Sequence, residues 1–378
     1  MKMLAYVCVV LCLTTACSKH HSTGAPITYV GTASLSEPRT YLASAFSGNK
    51  AVFAGGLDFQ NNNLSSATVD IYDAGTSRWT TAKLSEPRYG VAGGAAGGKF
   101  LFAGGFDNTI QGNFACTNLV DIYDTATGNW TTAQLSVARF VGATASLGNW
   151  IFFAGGYDQA TGTSTTVDIY NASTGVWSTA QLSAPKAGLA AASVGSKVFF
   201  AGGNNGIGSA TVDIYDTLTR AWTTAQLSEA RTGLVAAAAG GKILFAGGVG
   251  GNILNSATVD IYDAATAVWT TAHLCKAREY IAAAVYGNKI VFGGGSVLEG
   301  LPGGYDVDGG VTDTVDVYDA QANSWTVTRL SQAREGAVGA TAGNELLIAG
   351  GSIPINPGNT STFYKASATV DVFLVSGH

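Results

Sequence analysis

The 378-residue chain carries a formal charge of −5 with a pI near 5.3, and no Lys/Arg-rich run occurs in it. That balance excludes nucleic acid as a partner, because neutralising phosphates needs a concentrated basic surface. Gly, at 50 residues, is about twice its ordinary share of ~7%, while charged residues at 12% are about half the usual ~25%. The glycines are spread in doublets and turns rather than collected in a linker, which predicts many short strands joined by tight turns.

The N-terminus reads as an export signal over residues 1–16. Lys2 opens it, Leu4 to Leu13 is the apolar stretch, and Thr14-Thr15-Ala16 are small residues before Cys17. The apolar stretch is too short to span a membrane, and no later segment reaches the roughly 20 residues that a span needs. A Cys directly after such a run resembles the lipobox of bacterial lipoproteins, which implies lipidation of Cys17, although Thr14 stands where that motif favours Leu. Ordinary cleavage after Ala16 is the alternative. Residues 17–27 form a polar tether, and membrane association is expected only through a lipid on Cys17. The expected location is the bacterial cell envelope, as an outer-membrane lipoprotein or in the periplasm, with plain secretion as the alternative.

From residue 28 to 378 the chain repeats. A bulky apolar residue runs into a glycine doublet seven times, at Gly55-Gly56, Gly104-Gly105, Gly155-Gly156, Gly202-Gly203, Gly247-Gly248, Gly294-Gly295 and Gly350-Gly351. Six times a Tyr is followed seven positions later by a Trp, from Tyr72/Trp79 to Tyr318/Trp325. The period is roughly fifty residues, that of a propeller array in which each unit packs only on its neighbours. The fourth repeat shows the expected strands most cleanly: Ala187 to Ser193, Lys197 to Gly203, Ala210 to Asp216 and Trp222 to Leu227. The first is built of small residues, as suits the crowded axis of a propeller. Asp216 is placed for an Asx turn.

The ends predict closure. Val30-Gly31-Thr32-Ala33-Ser34-Leu35-Ser36 matches Trp79-Thr80-Thr81-Ala82-Lys83-Leu84-Ser85, whereas the last repeat stops after Val370-Asp371-Val372-Phe373 without its Trp strand. The N-terminal strand therefore completes the last blade and removes an open edge. The doublet, the Asp-x-Tyr and the Tyr-to-Trp spacing together resemble the kelch repeat, over nearly everything from Ile27 onward. The expected fold is all-β: a seven-bladed kelch-type β-propeller with four antiparallel strands per blade, closed by the N-terminal strand.

That resemblance implies little about activity, since kelch propellers include copper oxidases, bacterial periplasmic sialic-acid mutarotases and many protein-binding modules. The copper chemistry is excluded by counting. Of four histidines besides which none occurs, His20 and His21 lie in the tether and His378 is terminal, so only His273 falls in the propeller. One His cannot build a Ser-His-Asp or Cys-His set either. The glycine doublets open no helix and so are not phosphate loops. Asp306, Asp308 and Asp313 read as a solvated acidic loop, without the distal Glu of a calcium loop. No metal or cofactor is expected. Cys116 and Cys275 each stand where other repeats have Ser and read as simple replacements, with no disulfide expected.

Arg39, Arg88, Arg139, Arg231, Arg278 and Arg334, with Lys186, recur at one position of every repeat. A residue kept in every repeat reads first as a structural ion pair, and second as a ring of cations facing an anionic ligand. Positions that break the repeat are better candidates for function. Two residues past each cation stand Tyr41, Gly90, Val141, Gly188, Gly233, Tyr280 and Gly336, which places two aromatic side chains in a cup otherwise lined by glycine. The two longest connections follow Gly295 and Gly351, and they carry Tyr305, Asp306, Asp308, Phe363 and Tyr364. Glu279 and Glu335 directly follow their cations. The expected ligand site is Tyr41, Glu279, Tyr280, Tyr305, Asp306, Asp308 and Tyr364, and the expected function is a non-catalytic binding module for a glycan or a partner protein. The alternative is a metal-independent sugar epimerase resembling the sialic-acid mutarotases.

Overall fold

The structure, a computed structural model, describes residues 27–60, 64–108, 115–204, 208–251, 254–297, 310–355 and 364–375. Cys17, Tyr305, Asp306, Asp308 and Phe363 lie outside the described residues. Every regular element among the described residues is a β-strand, and the strands form seven four-stranded antiparallel blades with short extra hairpins.

Blade four shows how the sequence makes the unit. Its strands are Ala187–Val194, Lys197–Asn204, Ser209–Asp216 and Trp222–Thr232, hydrogen-bonded in that order from the axis outward. The second strand is buried on both faces, so its Val198, Phe199 and Phe200 are all apolar. The seven-residue Tyr-to-Trp interval places Tyr215 directly opposite Trp222 across a tight hairpin, with ring centroids 5.0 Å apart. Asp216 makes the expected Asx turn by accepting the N–H of Leu218 at 2.9 Å.

Blade seven closes the ring. Ile27–Ser34 pairs antiparallel with Thr369–Val375, with Thr32 opposite Asp371 and Ala33 opposite Val370. The blade thus combines an outer strand from the N-terminus with three strands from the C-terminal end, as the matching of the two ends predicts.

The apolar core is divided among the junctions between blades. Leu35, Leu347 and Val370 of blade seven meet Phe53 and Tyr72 of blade one across the closing junction, and Leu244 and Val259 meet Ile290, Phe292 and Tyr318 between blades five and six. Each junction holds the Leu that ends an outer strand, such as Leu35 or Leu274, both 4% exposed. Burying such a side chain contributes about 1.5–3 kcal/mol. Near the axis the inner strands approach so closely that only small residues fit. A Cβ on Gly339 would lie 1.9 Å from the carbonyl oxygen of Ala283 in the neighbouring blade.

Candidate functional site

Between blades, the chain crosses from one outer strand to the next inner strand through a Leu-Ser-x-x-Arg segment. In blade six the segment reads Leu274-Cys275-Lys276-Ala277-Arg278. The Cys275 N–H donates to Asp316 Oδ1 at 2.9 Å, and Arg278 pairs with Asp316 Oδ2. Arg278 also donates to the carbonyls of Gly294 (2.8 Å), Thr314 (2.6 Å) and Phe292 (3.0 Å). Equivalent pairs join Arg139 to Asp168, Lys186 to Asp213 and Arg334 to Asp371, each at 2.7 Å, and Arg39, Arg88 and Arg231 to Asp70, Asp121 and Asp260. All seven cations are buried, and the six arginines have no solvent exposure. The structural reading of this repeat position is therefore correct, and the ring of cations facing a ligand does not exist. Burial pushes the Arg278 guanidinium down and the Asp316 carboxyl up, each against the attraction of the other. Cys116 is free, whereas Cys275 is disulfide-bonded, which corrects its reading as a plain replacement for Ser.

The residue after each cation pairs with the residue after a glycine doublet. The pairs are Thr40 with Leu57, Tyr89 with Phe106, Phe140 with Tyr157, Ala187 with Asn204, Thr232 with Val249, Glu279 with Ser296 and Glu335 with Ser352. The doublet permits this through its backbone. Gly55 and Gly56 take φ of 65° and 109°, and a Cβ on either would meet a carbonyl oxygen at 2.5 or 2.7 Å. Because every repeat places these pairs alike, they encircle one face of the propeller. Their chemistry is uneven: aromatic in blades two and three, carboxylate and hydroxyl in blades six and seven.

One residue further on, the backbone turns left-handed. Gly90, Gly188, Gly233 and Gly336 have φ between 60° and 65°, and Tyr41 and Tyr280 hold the same conformation at 51°. A bulky side chain in this region costs on the order of 1–3 kcal/mol and persists where the surroundings impose it. Both tyrosines remain exposed, at 43% and 48%. The turn is tied around the ring, since Gly336 N–H donates to Tyr280 O at 3.0 Å and Gly90 N–H to Tyr41 O at 2.9 Å. Val141 departs from this scheme. In blade three the order of Gly and Val is reversed, so Val141 turns into the core at 5% exposure and lines no cup.

Tyr41, Glu279, Tyr280 and Glu335 come together across blades six, seven and one. Burial and then the Glu335 charge raise the Glu279 carboxyl. Burial also raises that of Glu335, opposed by a hydrogen bond from Ser296. The Tyr280 phenol is pushed up to about 12 by burial, then by Glu279, Tyr41 and Glu335, and Tyr41 rises through burial, Glu335, Glu279 and Tyr89. Gly336 in blade seven carries no side chain, and a Cβ there would lie 3.3 Å from Thr40 Oγ1 of blade one. The Ser352 hydroxyl donates to Thr40 Oγ1 at 2.8 Å, and Asn255 Nδ2 donates to Ser296 O at 2.8 Å, fixing the surrounding hairpins.

Those hairpins, Ser296–Val297 with Gly310–Val311 and Ser352–Pro354 with Tyr364–Ala366, start beside the glutamates. Tyr364 is half-buried opposite Pro354. Asp313 is held by Arg329 Nη1 at 2.8 and 2.9 Å. Among the described residues no group of three or more His, Cys, Asp or Glu side chains could hold a metal.

Sequence reasoning missed the aromatic arc. Tyr89, Phe106 and Phe140 stack in series at 5.3 and 5.7 Å, and Phe140 overlies Gly90. The signal was present one residue earlier, since the position directly after the cation also breaks the repeat.

The Kelch motif family model matches residues 185–226, which is blade four from its clamp to its outer strand. No curated protein matches the chain. Among solved structures, one titled "Structure of YjhT" superposes with a TM-score of 0.56 over 90% of this chain and 96% of that chain, at 15% identity, a likeness of fold alone. The protein is thus a seven-bladed β-propeller whose fourth blade matches the kelch motif, a repeat that supports a binding or interaction module in general terms.

Proposed function

We propose that this protein is a non-catalytic binding module exposed outside the cytoplasm, whose ligand is a glycan seated over blades six, seven and one. The carrying observation is the pair Tyr41 and Tyr280, bulky and exposed where other repeats place glycine in the same left-handed turn. Aromatic faces offer flat apolar area to sugar rings and leave hydroxyls for hydrogen bonds. A partner protein presenting an apolar side chain is the other ligand such a surface suits. Tyr280→Gly removes the ring and relieves the backbone strain together. The variant should lose about tenfold or more in binding to a glycan array while melting no lower than the parent, the strain relief being about 1 kcal/mol. Unchanged array binding rejects the site.

The epimerase alternative draws support from Glu279 and Glu335, whose raised carboxyls suit acid–base work. A mutarotation assay in which Glu279→Gln and Glu335→Gln abolish turnover would establish it. The buried, paired state of all seven repeat cations disfavours an anionic sugar as its substrate.

Export with a lipid on Cys17 is supported by the apolar stretch and small residues before that Cys. Metabolic labelling with a fatty-acid analogue should mark the protein and be lost in Cys17→Ser. Label that persists in the variant overturns the anchor and leaves plain secretion.

A further inference from the structure

Strand direction decides where the chain enters the propeller. Within a blade the strands alternate, so the inner hairpin and the outer turn share the face opposite the glycine doublets. Ser47 opposite Lys50 and Asp73 opposite Arg78 mark that hairpin face in blade one. Ile27 stands on it, opposite Val375, whose N–H donates to Asn344 O of the blade-seven inner hairpin at 3.2 Å. The strand then runs toward the cup and ends at Ser34. Residues 18–26 separate Cys17 from Ile27 and reach at most about 35 Å when fully extended.

The same face carries exposed apolar side chains at the edge farthest from that entry. Blades three and four are each three steps from blade seven around the ring. There Trp150 of the blade-three inner hairpin, Val176 of its outer turn and Leu218 of the blade-four turn are exposed, Leu218 at 82%, and Val268 of the blade-five turn continues the arc. Five other blades have a Lys at the position of Trp150, paired with an Asp, from Lys50–Asp73 to Lys289–Asp319. In blade three Asn171 takes the place of that Asp, so the row Trp150, Asn171, Val176 is uncharged.

We infer that the hairpin face is a membrane-contact surface. The lipid on Cys17 holds the blade-seven edge, while Trp150, Val176, Leu218 and Val268 seat the opposite edge on the bilayer and the cup faces outward. This rests on the lipid-anchor reading above and adds the orientation of the propeller to it. The tether joins the hairpin face, and the strand from Ile27 to Ser34 is about 25 Å long. Turning the cup to the membrane would therefore use up most of the tether. Leu and Val side chains enter the acyl boundary, and Trp favours the membrane–water interface. Charge favours the same orientation. On the hairpin face the lysines are paired with aspartates and Arg220 stands exposed near Leu218, whereas the cup face carries Glu279 and Glu335, which an anionic surface repels.

The test is oxidative footprinting of the mature lipidated protein in phosphatidylethanolamine/phosphatidylglycerol vesicles, with intact mass reading the lipid on Cys17. Leu218 and Trp150 should lose most of the oxidation that they show in the Cys17→Ser protein in solution, while Tyr41 and Tyr280 keep theirs. Leu218→Ser/Val268→Ser changes exposed turns only, and thermal melting checks that the variant is folded. In the lipidated variant Trp150 oxidation should recover about threefold or more, because those turns no longer hold the edge down. Protection of Trp150 that persists in the variant overturns the contact surface and leaves the anchor intact. So does lipidated protein in which Leu218 and Trp150 oxidise as in solution, or in which Tyr41 and Tyr280 are protected instead. Protection in envelope fragments but not in lipid vesicles assigns the face to a protein partner and overturns the lipid contact. A mature chain without lipid on Cys17 overturns the anchor, and this inference with it.

Discussion

Asp316→Ala should destabilise the propeller by about 3–5 kcal/mol, measured by denaturant unfolding. The carboxylate accepts the Cys275 N–H and the Arg278 guanidinium, so its removal strands a fully buried cation at the seam between two blades. The carbonyls of Gly294, Thr314 and Phe292 remain as acceptors, but none supplies a counter-charge. The double replacement Arg278→Leu/Asp316→Leu should recover most of the loss, because it removes the stranded charge rather than exposing it. A single variant within 1 kcal/mol of the parent would show that the clamp is dispensable. The same outcome is expected at each of the other blades, since each repeats the geometry.

Deleting residues 27–34 should lower the melting temperature sharply and promote self-association. That segment is the outer strand of blade seven, and without it Thr369–Val375 presents an unpaired edge. The Tyr29 ring, 5.5 Å from Phe373, and the cover over the closing core go with it. Seven blades without a closed ring leave one junction held from a single side, and a loss of several kcal/mol, roughly 3–5, follows from exposing both edge and core. Differential scanning calorimetry with sedimentation velocity reads both effects. A monomer with an unchanged melt would mean that the ring closes without its N-terminal strand.

The Tyr280→Gly experiment complements these, because it separates stability from binding. The clamp and the closing strand are scaffold, so their loss should reduce both. The left-handed tyrosines cost stability, so their loss should reduce binding alone.

What the sequence by itself determined is everything that one repeat decides locally and seven repeats confirm. Strand, hairpin and doublet each follow from a few neighbouring residues: Tyr215 meets Trp222 because a tight turn separates them, and Gly55-Gly56 ends a strand because only glycine tolerates that backbone. Closure was legible for the same reason, as the missing outer strand of the last repeat matches the surplus one at the start. The exposure of Tyr41 and Tyr280 was legible too, as a break in the repeat. Only the tertiary structure decided what depends on contacts between blades. It turned Val141 inward, because reversing Gly and Val at one turn exchanges which of them faces the core. It buried every repeat cation against an Asp from a later strand. It also brought Glu279, Glu335, Tyr41 and Tyr280 into one electrostatic unit, although the ring must close before the first blade can stand beside the sixth and seventh. Local periodicity carries no information about which blades become neighbours through closure or how deep a carboxylate lies between them, and those two quantities set the charge and shape of the site.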